Sequence, residues 1–355
     1  MYIWPGGGIT LMVDVTRMPQ NSFGYVPTPA LVAPIEFTMR RSDYESLGGH
    51  TGHVVSIDDA IKGILATAIG AKVGGVMATN PHSSLERATL LSAADGATRQ
   101  SSAQGFKHSV CRWTFSATPL EELCEKAKQL GIDSIELLDP EDISFVQQQG
   151  LSCAMANSVP LSLTDGFNDP SIHEKLQSEY RALIPIIADL GVQNIICFSG
   201  NRKGLSDKQG LENCAIGLDP VVKMAKEYGL TIVMELLNSK VSHPDYQCDH
   251  TPWGVELCEK IGSDHFKLLY DIYHMQVMEG DVIATIQKYH PYIAHYHTAG
   301  VPGRNEIDDT QELNYPAIMR AINETGYTGF VGQEFIAKAE DPFISLADAI
   351  QRCTI

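Results

Sequence analysis

TIVMELLN (231–238), FKLLYDIYH (266–274), IAHYHTAG (293–300) and GFVGQEFI (329–336) are four short apolar runs, each with a charged or imidazole side chain near its end. Runs of this length and character are expected of strands buried on both faces of a parallel sheet. Working outward, HSVCRWTF (108–115), SIELL (134–138), SCAMANSV (152–159) and NIICFSG (194–200) read the same way. Helical stretches separate them. Thr118-Pro119-Leu120-Glu121-Glu122 opens one, with Pro at the first turn and acids against the helix dipole, and Thr251-Pro252-Trp253 opens another. Gly131, Gly191, Gly229, Gly262 and Gly326 stand where helices end just before strands. Eight strand–helix units in roughly 250 residues predict an α/β chain folded as a (β/α)8 TIM barrel. An open doubly wound sheet would place a Gly-rich phosphate loop after its first strand. Here that loop is SATPLEE, which has no glycine.

In such barrels the active site lies at the C-terminal ends of the strands. Glu235 ends the fifth predicted strand, with Asn238 and Lys240 just beyond. Asp271 ends the sixth and is followed by His274. His297 ends the seventh, with Arg304 in its loop, and Glu334 ends the eighth. One acid at a strand end is ordinarily a helix cap or a loop ion pair. Three carboxylates and an imidazole at one level of four consecutive strands are a different matter, because buried charges need partners or a metal. Inward positions alternate along a strand, so Val233, Leu269, His295 and Gly332 would lie one layer below. His295 reads as a hydrogen-bonded core residue. The oxygen-rich donor set with one imidazole suits Mn2+ or Mg2+, with Co2+ and Zn2+ as further candidates.

FKHSVCRWTF, NIICFSGNRKG, TIVMELLNSKVSHPDYQCDH, LLYDIYHMQ, HYHTAGVPGRNE, QELNYP and GFVGQEF together resemble the hydroxypyruvate isomerases, which belong to the xylose-isomerase-like barrels. The resemblance covers residues 106 to about 340. It implies that Glu235, Asp271 and Glu334 bind a divalent metal, and that Glu235 and Glu334 are also the acid/base pair. The position of His297 is Gln in typical hydroxypyruvate isomerases and His in the related ketose 3-epimerases. The implied activity is interconversion of a small hydroxy-aldehyde and hydroxy-ketone, of the hydroxypyruvate/tartronate semialdehyde type, through an enediolate. His274 and Arg304 are candidates for holding substrate oxygens. Arg112, Arg202 and Lys240 are candidates for attracting a carboxylate or hydroxyls. Trp113 is either an apolar wall of the pocket or a core residue. The alternatives are a ketose 3-epimerase, an isomerase of a larger keto-sugar, and a non-catalytic sugar-binding barrel, against which the retention of both glutamates weighs.

The formal net charge of −17 disfavours nucleic acid and anionic membrane partners. It also disfavours a related DNA-repair endonuclease, which needs a basic face and more His ligands. A small-molecule substrate is the expected partner, and barrels of this kind often associate, so a homo-oligomer is open. No apolar run reaches the roughly 20 residues of a membrane span. The eight cysteines form no CxxC pair and read as small buried hydrophobes, reduced and suited to the cytoplasm. The start MYIWPGGGITL lacks a signal peptide's basic and apolar regions. A second candidate start at Met77 precedes a segment that vaguely resembles an export leader, but Asp95 breaks its short apolar run, so export is the lesser reading. Residues 1–104 are an extension rich in turn formers, and 105–355 are the barrel. PGGG (5–8) and PTPALVAP (27–34) read as turns and extended pieces, and 57–77 as one helix. Asp14, Arg17, Arg40 and His50 read as solvated loop residues. PGGGITLMVDVTRMP faintly resembles a terminal piece of a hydroxynicotinate-reductase-like protein, and no role is assigned from it.

Overall fold

A computed structural model describes residues 2–3, 8–12, 36–40, 104–159 and 163–355. The chain divides into two units, Met1–Thr98 and Arg99–Ile355. In the first, β1 (Tyr2–Ile3), β2 (Gly8–Met12) and β3 (Glu36–Arg40) form an antiparallel sheet in that order. The helix expected over 57–77, and Asp14, Arg17 and His50, lie outside the described residues. Arg40 closes β3 opposite Gly8.

In the second unit, strand and helix alternate. In chain order they are β4 (Lys107–Cys111), α1 (Leu120–Gln129), β5 (Ser134–Glu136), α2 (Pro140–Gln148), α3 (His173–Asp189), β6 (Asn194–Cys197) and α4 (Asp207–Glu227). Then come β7 (Thr231–Glu235), α5 (Thr251–Ile261), β8 (Phe266–Asp271), α6 (Ile272–Met278), α7 (Val282–Tyr289), β9 (Ile293–Thr298), α8 (Tyr315–Glu324), β10 (Phe330–Gln333) and α9 (Pro342–Cys353). Local chemistry sets the helix ends. Helix α1 carries Glu121 and Glu122 in its first turn and Lys126 and Lys128 in its last. Ser206 Oγ accepts from Gln209 N at the start of α4. Helix α5 stops at Gly262, whose φ of 64° belongs to the left-handed region.

The strands are all parallel, in the order β5-β4-β10-β9-β8-β7-β6. Ala156 bridges to Leu138 on one side and to Ile195 on the other, which joins the two ends of the sheet. The fold is therefore the closed (β/α)8 barrel that the alternation predicts. The strands are shorter than the apolar runs, and two differ most. The run 108–115 is extended only to Cys111, and Arg112–Phe115 winds into a 3-10 turn. The run 152–159 forms no strand, only bridges at Ser152 and Ala156. Ser134 Oγ takes the Ala154 N–H at 2.8 Å, which diverts a donor from the ladder.

Val110, Ile135, Ile195, Ile232 and Leu268 are fully shielded. All eight cysteines are buried and free. Among the described residues no helix is long and apolar enough to cross a membrane. Leu268 packs so closely on α5 that a Cβ at Gly254 would meet both its methyl groups at 3.0 Å. Leu268→Ala should therefore cost about 2–5 kcal/mol in denaturant-unfolding free energy.

Candidate active site

Four adjacent strands converge at one end of the barrel because their pairing is staggered, which tilts the strands around the barrel axis. Glu235 pairs with Leu269, Asp271 with His297, and His297 with Gly332. Glu235 and Asp271 are the last residues of β7 and β8, His297 lies in β9, and Glu334 follows β10. All four side chains are buried. One ligand atom from each lies within 4.8 Å of the others. His297 Nδ1 is 2.8 Å from Glu334 Oε2 and 3.6 Å from Glu235 Oε1. Yet Nδ1 makes no hydrogen bond, and Glu235 Oε1 has no partner either. Unpartnered buried polar atoms are rare. Both atoms are thus close together and free to share a further partner.

Other groups answer part of the negative charge. Arg304 Nη2 lies 2.6 Å from Glu334 Oε2 and 3.5 Å from Asp271 Oδ2. Its guanidinium sits over the Trp113 and Tyr273 rings, 5.1 and 5.7 Å from their centroids. Trp113 Nε1 donates to Glu334 Oε1 at 2.7 Å. Asp271 Oδ1 accepts from His274 N and so caps α6. Burial and then the charge of Glu334 raise the Glu235 pKa. Burial raises Asp271 well above the usual range against the pull of Arg304. Burial acts the same way on Glu334, but Arg304 and His297 outweigh it and hold that carboxyl well below its usual value.

His274 Nδ1 accepts from Asn238 N at 3.1 Å, which puts the ring hydrogen on Nε2. Burial, then Arg304, pushes its pKa well below the ordinary imidazole value, so the ring is neutral. Nε2 lies 3.7 Å from Asp271 Oδ2 and has no hydrogen-bond partner. It is a free donor at the edge of the cluster.

The structure brings His274, Arg304 and Trp113 to the four residues, and Trp113 is 40% exposed, so it is no core residue. It engages the other three predicted cations elsewhere. Arg112 donates to Phe115 O within its own turn. Lys240 Nζ donates to Val277 O and Met278 O at the end of α6. Arg202 pairs with Asp249 at 2.8 Å and Asp207 at 3.1 Å. Long flexible side chains reach whichever acceptor is nearest, and strand-end proximity does not decide which.

Three nearby groups escaped the sequence reading. Glu136, in β5, lies 2.6 Å from His297 Nε2 and 2.8 Å from His295 Nε2. Cys111 Sγ is 3.6 Å from His297 Nε2. The His243 ring stacks at a tilt 5.2 Å from that of His274. A glutamate in the apolar run SIELL was the available signal for the first of these.

A family model described as "Xylose isomerase-like TIM barrel" matches residues 124–353. The chain belongs to that family. It is 29% identical over 222 residues to the hydroxypyruvate isomerase of Escherichia coli, covering 59% of this chain and 85% of that protein. It is 33% identical over 129 residues to the 2-oxo-tetronate isomerase of Cupriavidus necator, 36% of this chain and 47% of that protein. A stretch of 58 residues is 45% identical to 6-hydroxynicotinate reductase of Eubacterium barkeri, which is 16% of this chain and 12% of that one. Among solved structures, an AP endonuclease of family 2 from Brucella melitensis superposes with a TM-score of 0.63 at 24% identity, over 68% of this chain and 97% of that one. That likeness is one of fold.

The Arg202 pair makes a pH-dependent contribution. Burial works against the Asp249 charge, but Arg202, Ser239 and His250 outweigh it and depress its pKa. A carboxyl depressed in the folded state adds stability above its unfolded value near ~3.9, lost as the pH falls through the folded value. Arg202→Ala should be less stable than wild type at pH 7, with the gap narrowing below about pH 4, as read by denaturant unfolding across the pH range.

Proposed function

We propose that the chain is a divalent-metal-dependent isomerase acting on a small hydroxy-carbonyl compound of the hydroxypyruvate type. The observation that carries this is the convergence of Glu235, Asp271, His297 and Glu334, with His297 Nδ1 and Glu235 Oε1 buried and unpartnered. Three carboxylate oxygens and one imidazole nitrogen suit Mn2+ or Mg2+, and the donor set also admits Co2+ or Zn2+. A cation held there would polarise the substrate carbonyl as a Lewis acid.

The protein's own groups do the rest. Glu235 and Glu334 stand on β7 and β10, with β8 and β9 between them. They therefore flank a planar enediolate. One glutamate removes a proton from the hydroxyl-bearing carbon, and the other returns a proton to the former carbonyl carbon. The hydroxyl proton passes between the two oxygens, so the sum is an isomerisation with no redox partner. His274 Nε2–H donates to a substrate oxygen. Arg304, clamped between Trp113 and Tyr273, faces a substrate carboxylate or hydroxyl and steadies the ionised Glu334. The names of the hydroxypyruvate isomerase and 2-oxo-tetronate isomerase relatives support the reaction class.

A second reading is a ketose 3-epimerase, favoured by His at position 297. Parallel assays with hydroxypyruvate, tartronate semialdehyde and several ketoses separate the two.

Chelation of divalent metal should abolish turnover, and Mn2+ or Mg2+ should restore it. Glu235→Gln and Glu334→Gln should each lower the exchange of solvent deuterium into substrate by at least about 100-fold, with unfolding midpoints close to wild type. Undiminished exchange in either variant removes that glutamate from the proton-transfer role.

A further inference from the structure

We propose that Glu136 is a positioning residue that locks the His297 ring in one tautomer, with Nε2–H turned into the barrel and Nδ1 turned to the cation. The proposal rests on the metal-site reading above. Glu136 sits in the middle of the barrel, fully shielded from solvent. One of its oxygens, Oε1, lies 2.6 Å from His297 Nε2 and 2.8 Å from His295 Nε2. A carboxylate oxygen accepts and does not donate, so both rings carry their hydrogen on Nε2. In the neutral ring, the form that can bind a cation, the His297 lone pair is then on Nδ1, the atom found among the carboxylates of Glu235 and Glu334.

The opposite tautomer would do two unfavourable things. It would set an Nε2 lone pair against a buried carboxylate, and it would point an N–H at the place a cation needs. His295 holds the same carboxylate oxygen from the second side, so Glu136 cannot swing away without losing both bonds. Space is reserved for the pair by Gly332. A Cβ there would meet Glu136 Oε1 at 2.7 Å and His297 Cδ2 at 2.9 Å. The separations are hydrogen-bond lengths, and in this arrangement Glu136 supports the ligand His297. Such carboxylate–histidine support typically changes metal affinity by about 10–100-fold.

The test uses the full chain as wild type, Glu136→Gln, His297→Gln and the double variant. Mn2+ affinity is measured by titration. The protonated ring nitrogen of His297 is read from long-range 15N–1H spectra of the Zn2+-loaded, 15N-histidine-labelled protein. Glu136→Gln should weaken Mn2+ binding by about 10–100-fold in the wild-type background. In the His297→Gln background, where no ring tautomer exists, it should change affinity by no more than about twofold. Wild-type His297 should show hydrogen on Nε2 and zinc on Nδ1. Equal losses in the two backgrounds, unchanged affinity, or a wild-type ring protonated on Nδ1 would each overturn the proposal. The spectrum of the wild type needs no variant to fold. A wild-type chain that binds neither Mn2+ nor Zn2+ would overturn the metal reading itself, an outcome distinct from the other three.

Discussion

Glu235, Asp271 and Glu334 bring three carboxylates into one buried space, and withdrawing each from water costs several kcal/mol unless opposite charge meets it. Much of the architecture around them can be read as a response. Arg304 supplies one positive charge and is fixed between two aromatic faces. Trp113 and the backbone N–H of His274 each satisfy an oxygen. What remains are two buried unpartnered atoms, Glu235 Oε1 and His297 Nδ1. The cation proposed above would answer both. The staggered parallel register makes the arrangement feasible, since strands tilted around a closed barrel bring their ends together although Glu235 pairs with Leu269 and His297 with Gly332.

The barrel was legible because a strand buried on both faces has no polar alternation to confuse it, and because glycines close the helices at regular intervals. Gly131, Gly191, Gly229, Gly262 and Gly326 all adopt the positive φ that their positions predicted. Strand lengths were less legible. Cys111 ends β4 and the next four residues coil, although Trp113 and Phe115 look like strand residues. Asp271 both ends β8 and caps α6, so 272–274 belong to a helix that the apolar run concealed.

The convergence of the four short-chained residues was also legible, since an aspartate, glutamate or histidine at a strand end can reach only a few ångströms. Arginine and lysine reach farther, and Lys240, Arg112 and Arg202 found carbonyls and carboxylates outside the cluster. Glu136 was missed for the opposite reason. It ends β5, but two further apolar residues follow it in SIELL and hide that end, and its meaning comes from two histidines more than 150 positions away in the chain.

The seam at Ala156 has a mechanical meaning. There an irregular segment stands in for a full strand, and main-chain hydrogen bonds at Ser152, Met155, Ala156 and Asn157 fasten it on both sides. It joins β5 to β6, the two termini of the ladder, whereas β7, β8, β9 and β10 run side by side along its uninterrupted arc. The closure thus carries the ring of main-chain bonds across the gap in the ladder, beside the strand that presents Glu136 to His297.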